Sequence, residues 1–238
     1  METSFLLIGA ILFLAAFTQS LSGFGVALVA MALLPNLLGM QKSIALVALL
    51  GFLVNLGVLL RYWRSLQFKT MLPLILASWL GVPLGIFLLR RLDERITLPL
   101  LGIIIAGYAL YALSGLKLPT LTSRAWAYGA GFFGGLFGGA YSTPGPPVIL
   151  YASCQDWERD AFKGNLQAFF IQVGLIVVVG HWASGSFTPD VWELFWRGLP
   201  WLLVGIVTGL SMDRWINPDV FRKIVLILLV ITGLRLVF

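Results

Sequence analysis

The sequence predicts an all-α integral membrane protein of about 8–10 transmembrane or re-entrant helices in two inverted repeats. Three observations carry that prediction. The chain is 59% hydrophobic, with a mean hydropathy of +0.95 and only 11% charged residues, where a soluble domain carries about 25%. Its apolar stretches recur at lengths near the roughly 20 residues that cross a bilayer. In two places, Gln19 to Gly25 and Gly131 to Pro147, glycine, proline and small polar residues interrupt the apolar runs.

Splitting the chain at charges and Gly/Pro clusters gives ten segments, with approximate limits 4–20, 24–39, 43–60, 71–89, 97–114, 125–140, 144–153, 161–182, 194–211 and 220–237. The second, sixth and seventh are short or interrupted and read as half-helices or re-entrant segments, so eight full spans is the alternative count. Glu2, and no basic residue, precedes the first apolar run, so that run reads as a retained span and not a cleaved signal. If all ten segments cross, the 16 Lys and Arg divide ten to six between the two sides, which favours both termini outside. The cluster Arg90, Arg91 and Arg95 pulls the other way, beside Asp93 and Glu94. Basic residues placed between spans also account for the net charge of +6 without a nucleic-acid partner.

The two halves resemble each other. Gly23 and Pro35 are spaced like Gly135 and Pro147, and Gly81, Gly85 and Arg90 recur as Gly205, Gly209 and Arg214. We read residues 1–119 as a first repeat and 120–238 as a second within one transmembrane domain. Five segments per repeat is an odd number, so the second copy is expected to be inverted. Inverted repeats place a substrate site near the midplane, where their interrupted helices meet. Gln19–Gly25 is therefore expected to approach Gly138–Pro147.

Bare backbone cannot face lipid, because an unpaired N–H or C=O there costs several kcal/mol. The breaks must be buried in protein or line a cavity. Gly138, Gly139, Tyr141, Ser142, Thr143, Pro144, Gly145 and Pro146 offer amides and hydroxyls near a half-helix start, whose positive dipole end suits an oxyanion. The matching stretch holds Gln19, Ser20, Ser22, Gly23 and Gly25. The bland alternative is that the glycines before 138, spaced as Gly-x-x-x-Gly, only let helices pack closely. For those glycines we favour packing; for Ser142 to Pro147 we favour function. Asn55, Asn165, Gln167 and Gln172 either donate to substrate or join helices, and of these Asn165 and Gln167, which follow Lys163, are placed at the substrate site. Lys163 either attracts an anion or snorkels to the interface.

His181 lies at a span end beside Trp182 and reads as interfacial, and Trp182, Trp192, Trp196, Trp201 and Trp215 read as an aromatic belt. No Asp or Glu lies inside an apolar segment, Glu193 and Asp213 standing at the ends of one, so an intramembrane carboxylate for proton coupling is not expected. The single cysteine, Cys154, excludes an internal disulfide and a multi-cysteine metal site. No metal and no cofactor is expected.

Ser22-Gly23-Phe24-Gly25 followed by Pro35 resembles the first signature of the sulfite exporter TauE/SafE family, also called the toluene sulfonate uptake permease family. Gly135-Leu-Phe-Gly-Gly-Ala-Tyr-Ser-Thr-Pro-Gly-Pro-Pro-Val148 resembles its second, and Phe162-Lys-Gly-Asn-Leu-Gln167 the stretch that follows. Val26-Ala27, Ser142 and Lys163 depart from the pattern. The resemblance implies a multi-pass permease of the bacterial inner membrane that moves sulfite, organosulfonates or related anions. The expected partners are a small anionic substrate and the lipid bilayer, and the chain could also assemble with copies of itself. The expected function is transport of a small sulfur-containing oxyanion, by export, with alternating access between the repeats. A non-transporting membrane assembly or anchoring subunit is the alternative. An enzyme is not expected, since Cys154 and His181 are the only candidate nucleophile and base in the membrane and their segments give no reason for them to meet.

Overall fold

The computed structural model describes residues 2–116, 119–121, 123–212, 215–216 and 218–237. The described residues form helices and no strand. Eight are long: α1 (Glu2–Ser22), α4 (Met40–Tyr62), α5 (Phe68–Arg91), α6 (Glu94–Ser114), α7 (Arg124–Tyr141), α9 (Arg159–Ala183), α10 (Pro189–Met212) and α11 (Pro218–Val237). Two are short, α2 (Val26–Leu33) and α8 (Gly145–Ser153), and α3 (Pro35–Leu38) is a single turn. Among the described residues, six of the long helices are long and apolar enough to cross a membrane, namely α1, α4, α5, α6, α9 and α10. Leu60, Leu80 and Trp215 are among the many large apolar side chains on the outer surface, where lipid rather than water makes them stable. The five tryptophans expected in a belt are all exposed.

The interrupted segments behave differently from one another. Segment 24–39 is α2, then α3 begun by Pro35, and segment 144–153 is the half-helix α8. The glycine-rich segment 125–140, by contrast, is an unbroken helix of 18 residues. Its glycines are covered by protein. A Cβ on Gly131, Gly135 or Gly139 would run into the backbone of Leu74, Ser78 or Val82 on α5, and one on Gly81 or Gly85 would run into α7. With no water to compete for the backbone, the ordinary penalty of helical glycine is offset by close packing. The packing reading holds for Gly131 and Gly135, and it extends to Gly139.

Helix contacts pair off across the chain. α1 packs on α10 as α7 packs on α5; α4 packs on α10 as α9 packs on α5; α2 lies against α4 as α8 lies against α9. α4 also packs on α9, and α6 on α11, so these contacts too cross between the two halves. The elements in these contacts are related by a spacing other than the one read from the sequence. Gly135 is mid-helix, whereas Gly23 follows the end of α1. The position that follows the end of α7 is Ser142, 119 residues beyond Gly23, and α4 and α9 begin 119 residues apart at Met40 and Arg159. Gly205 and Gly209 press on Phe13 and Phe17 of α1, while Gly81 and Gly85 press on Phe132 and Leu136 of α7; the residues pressed on are again 119 apart, although the glycines themselves are 124 apart. Arg214, Lys117 and Asp213 lie outside the described residues.

Candidate functional site

Each break is built by a distinct local device. After α1 the chain passes through Gly23 at φ +85° and Gly25 at φ +118°, where a Cβ would be strained, before α2 starts. After α7, Ser142 takes φ +52°, the single non-glycine residue with positive φ among those described, and Pro144 then leads into α8. Both short helices start at one cavity of about 40 Å³, room for a few waters or a small polyatomic anion. Gln19, Gly25, Val26, Ala27 and Leu28 line it from the first break, and Gly138, Ser142, Thr143, Pro144 and Gly145 from the second. The expected approach of the two stretches is observed.

The remaining wall comes from α4 (Val47, Ala48, Gly51, Phe52, Asn55) and α9 (Phe170, Val173, Gly174, Val177). Among the described residues, no charged side chain lines the cavity. The positive ends of two helix dipoles face it instead. In the first turn of α2, the Ala27 and Leu28 amides are donors that the helix itself cannot satisfy. At the start of α8, Pro146 and Pro147 carry no N–H, so Gly145 supplies the open amide. The hydroxyls also differ from expectation: Ser142 Oγ donates to Ile44 O (3.1 Å) and Thr143 Oγ1 to Tyr141 O (2.8 Å). They therefore turn lone pairs, not protons, toward the cavity.

A chain of side-chain amides backs the first break. Gln19 Oε1 accepts from Val26 N (3.0 Å), while Gln19 Nε2 donates to Asn55 Oδ1 (2.7 Å) and to Gln167 Oε1 (3.0 Å). Gln167 Nε2 in turn donates to Gly23 O (2.6 Å). Gln167 therefore stands behind the cavity and positions Gln19. Asn165 is fully buried and accepts from Gln67 N (2.8 Å), holding the turn after α4. Gln172 accepts from Ser78 Oγ on α5. Ser20 faces Gly209 of α10, Ser22 Oγ donates to the Thr18 and Phe24 carbonyls, and Gly139 faces α5. Tyr141 and Pro146 are buried beside the break without lining the cavity.

Lys163 neither snorkels nor lines the cavity. It is 2% exposed, and its Nζ donates to Leu21 O (2.8 Å) and to Tyr62 Oη (3.3 Å), over whose ring it lies at 5.0 Å. It is a cation on the carbonyl end of α1, the favourable end of that helix. The 119-residue spacing recurs here, because Lys163 packs on Gly23 as Ile44 O accepts from Ser142. His181 is buried, near Phe187, and lines a separate recess with Thr97 and Ser184. Cys154 lies past the end of α8 and bonds Leu150 O. The two are not brought together at the cavity.

Asn55 is the lining residue with chemistry that the sequence underrated. Its signal was an amide inside an otherwise apolar helix. The apolar wall at Gly51 and Gly174 carried no signal, since helical glycines are common throughout the chain.

The sequence profile described as "Sulfite exporter TauE/SafE" matches residues 8–236. The chain is 24% identical over 178 residues to the probable inner membrane transporter protein TsaS of Comamonas testosteroni, covering 73% of this chain and 74% of that protein. No solved structure is significantly similar.

Proposed function

The chain belongs to the sulfite exporter TauE/SafE family, a multi-pass membrane transporter, and from that premise we propose that the cavity is its substrate site. The substrate would be a small sulfur-containing oxyanion such as sulfite. The observation that carries this reading is the meeting of two half-helix starts at one uncharged cavity. Amides and dipole ends hold an anion without a fixed positive charge, which favours release as much as capture. The size of the cavity favours a small oxyanion over a bulky aromatic sulfonate.

Transport would run by alternating access, the two halves rocking about the paired breaks. The exchange of contacts between α1/α10 and α7/α5, and the 119-residue spacing at both breaks, support a duplicated and inverted architecture. Export is the direction we propose: with no carboxylate lining the cavity among the described residues, an anion leaving the cell can be driven by the membrane potential, worth about 2.3 kcal/mol per charge per 100 mV. The TsaS name supports transport across an inner membrane. A non-transporting anchoring role would not require a cavity at the paired breaks. An enzymatic role is not proposed, since Cys154 and His181 lie apart from it.

The test is sulfite flux into liposomes by the purified protein. Wild type should carry sulfite, and Gln19→Ala should reduce flux about tenfold or more, since the α2 start loses its side-chain support. Wild-type flux no greater than that of empty liposomes would sink the proposal.

A further inference from the structure

We propose that Asn55 is a substrate-binding residue that presents its amide N–H groups to the cavity, with its polarity dictated by the backbone at a distance. This rests on the cavity being the substrate site. An asparagine amide is ambiguous by shape alone, because its oxygen and nitrogen are nearly alike. Here the hydrogen-bond chain removes the ambiguity from both ends. Val26 N is a backbone donor, so the Gln19 atom it meets must be Oε1. Gln19 then turns its Nε2 to Asn55 and Gln167, and the atoms it meets there must be acceptors. At the far end, Gly23 O is a backbone acceptor, so the Gln167 atom it meets must be Nε2, which leaves Oε1 for Gln19. The two ends agree. Asn55 must use Oδ1 inward, and Nδ2 is its other atom.

Asn55 is 7% exposed and lines the cavity, and its Nδ2 has no hydrogen-bond partner among the described residues. Nor is Nδ2 among the buried polar atoms sealed away without a partner. It therefore retains surface, and the cavity is where the side chain meets space. A buried amide with two N–H groups and no acceptor is costly unless a ligand or water accepts from them. An oxyanion accepts, whereas an ammonium or other donor-only ligand would not. The α2 amides of Ala27 and Leu28 lie on the same lining, so this wall is a donor wall. Ser142 and Thr143, with their protons turned away, form the acceptor side.

The experiment measures sulfite binding by calorimetry and sulfite flux in liposomes for wild type, Asn55→Ala and Asn55→Asp. Asn55→Asp keeps the acceptor for Gln19 Nε2 and so holds the network together if the alanine variant fails to fold. Asn55→Ala should raise Kd and KM about tenfold or more, the loss of a hydrogen bond to a charged group, with kcat little changed. Asn55→Asp should abolish binding while its melting temperature stays near wild type. Wild-type Kd in either folded variant would overturn the role of Asn55 while leaving the cavity as the site. A fall in kcat and melting temperature with KM unchanged would likewise overturn it, because Asn55 would then only brace Gln19. Failure of wild type itself to bind or carry sulfite would count against the transport reading instead.

Discussion

The two breaks bring a short helix to the same cavity by opposite means. At the first, backbone freedom does the work: Gly23 and Gly25 take positive φ, and the loosened chain is then held by side chains, Gln19 and Gln167 from one side and Lys163 from the other. At the second, backbone stiffness does the work. Pro144, Pro146 and Pro147 restrict the chain, Ser142 alone takes the left-handed turn, and few side-chain bonds are needed. Flexible backbone with a polar brace and rigid backbone without one can therefore each start a short helix at the same cavity.

The same contrast runs into the helix pairs behind the breaks. α7 meets α5 through glycines on both helices, whereas α1 presents Ser20 where α7 has Gly139. The largest effect should thus come from the second half. Gly139→Leu places a side chain against the Val82 carbonyl, which is backbone and cannot give way, and overpacking of this kind costs about 1–3 kcal/mol or more. We expect no monodisperse peak on size-exclusion chromatography in detergent. A well-folded Gly139→Leu protein would mean that the α5–α7 contact is not as close as described.

Lys163→Met should separate the breaks more selectively. It leaves Leu21 O, at the end of α1, without its Nζ donor, a loss of about 1–3 kcal/mol that is local to the first break. Hydrogen exchange should quicken about tenfold or more for residues 19–25 and remain unchanged for residues 138–145. Equal acceleration at both would show that the two breaks share one brace.

Much of this architecture was legible beforehand, because the signals were strong where the physics is severe. Apolar length set the long helices, and the ban on bare backbone in lipid marked Gly25 and Thr143 as cavity-lining. The sequence was misleading where glycine has two opposite uses. In Gly131–Gly139 it permits contact and the helix continues, while in Gly23–Gly25 it permits positive φ and the helix ends, and only the partner helix α5 distinguishes the two. Matching glycines gave a spacing seven residues short of the one that relates the two breaks, since they aligned a packing residue, Gly135, with a turn residue, Gly23. Hydroxyl polarity was not legible at all. The Ser142 and Thr143 protons go to Ile44 O and Tyr141 O, partners that residue type alone does not reveal.

Backbone freedom at the first break can be tested against stiffness at the second by the pair Gly25→Ala and Pro144→Ala, which stand 119 residues apart. At φ +118° an alanine is strained, and such conformations cost about 1–3 kcal/mol. Alanine in place of Pro144 at φ −72° is unstrained, and the loss of proline's restriction on the unfolded chain costs about 0.4–1 kcal/mol. Gly25→Ala should therefore lower the melting temperature more than Pro144→Ala. The reverse order would refute the contrast between the breaks.

The smallest effect, and the sharpest test of the second break, is at Ser142. Its left-handed conformation is disfavoured by about 1 kcal/mol for a residue with a Cβ, and its hydroxyl returns about 0.5–1.5 kcal/mol through the bond to Ile44 O. Ser142→Ala loses the bond and keeps the strain, whereas Ser142→Gly loses both. The glycine variant should accordingly melt near wild type, with the alanine variant about 1 kcal/mol less stable. Glycine would make the second break resemble the first in backbone freedom without supplying an amide brace. If the break needs stiffness as well as shape, Ser142→Gly should keep its stability while hydrogen exchange at residues 142–145 rises. Unchanged exchange would mean that the prolines alone hold the second break in place.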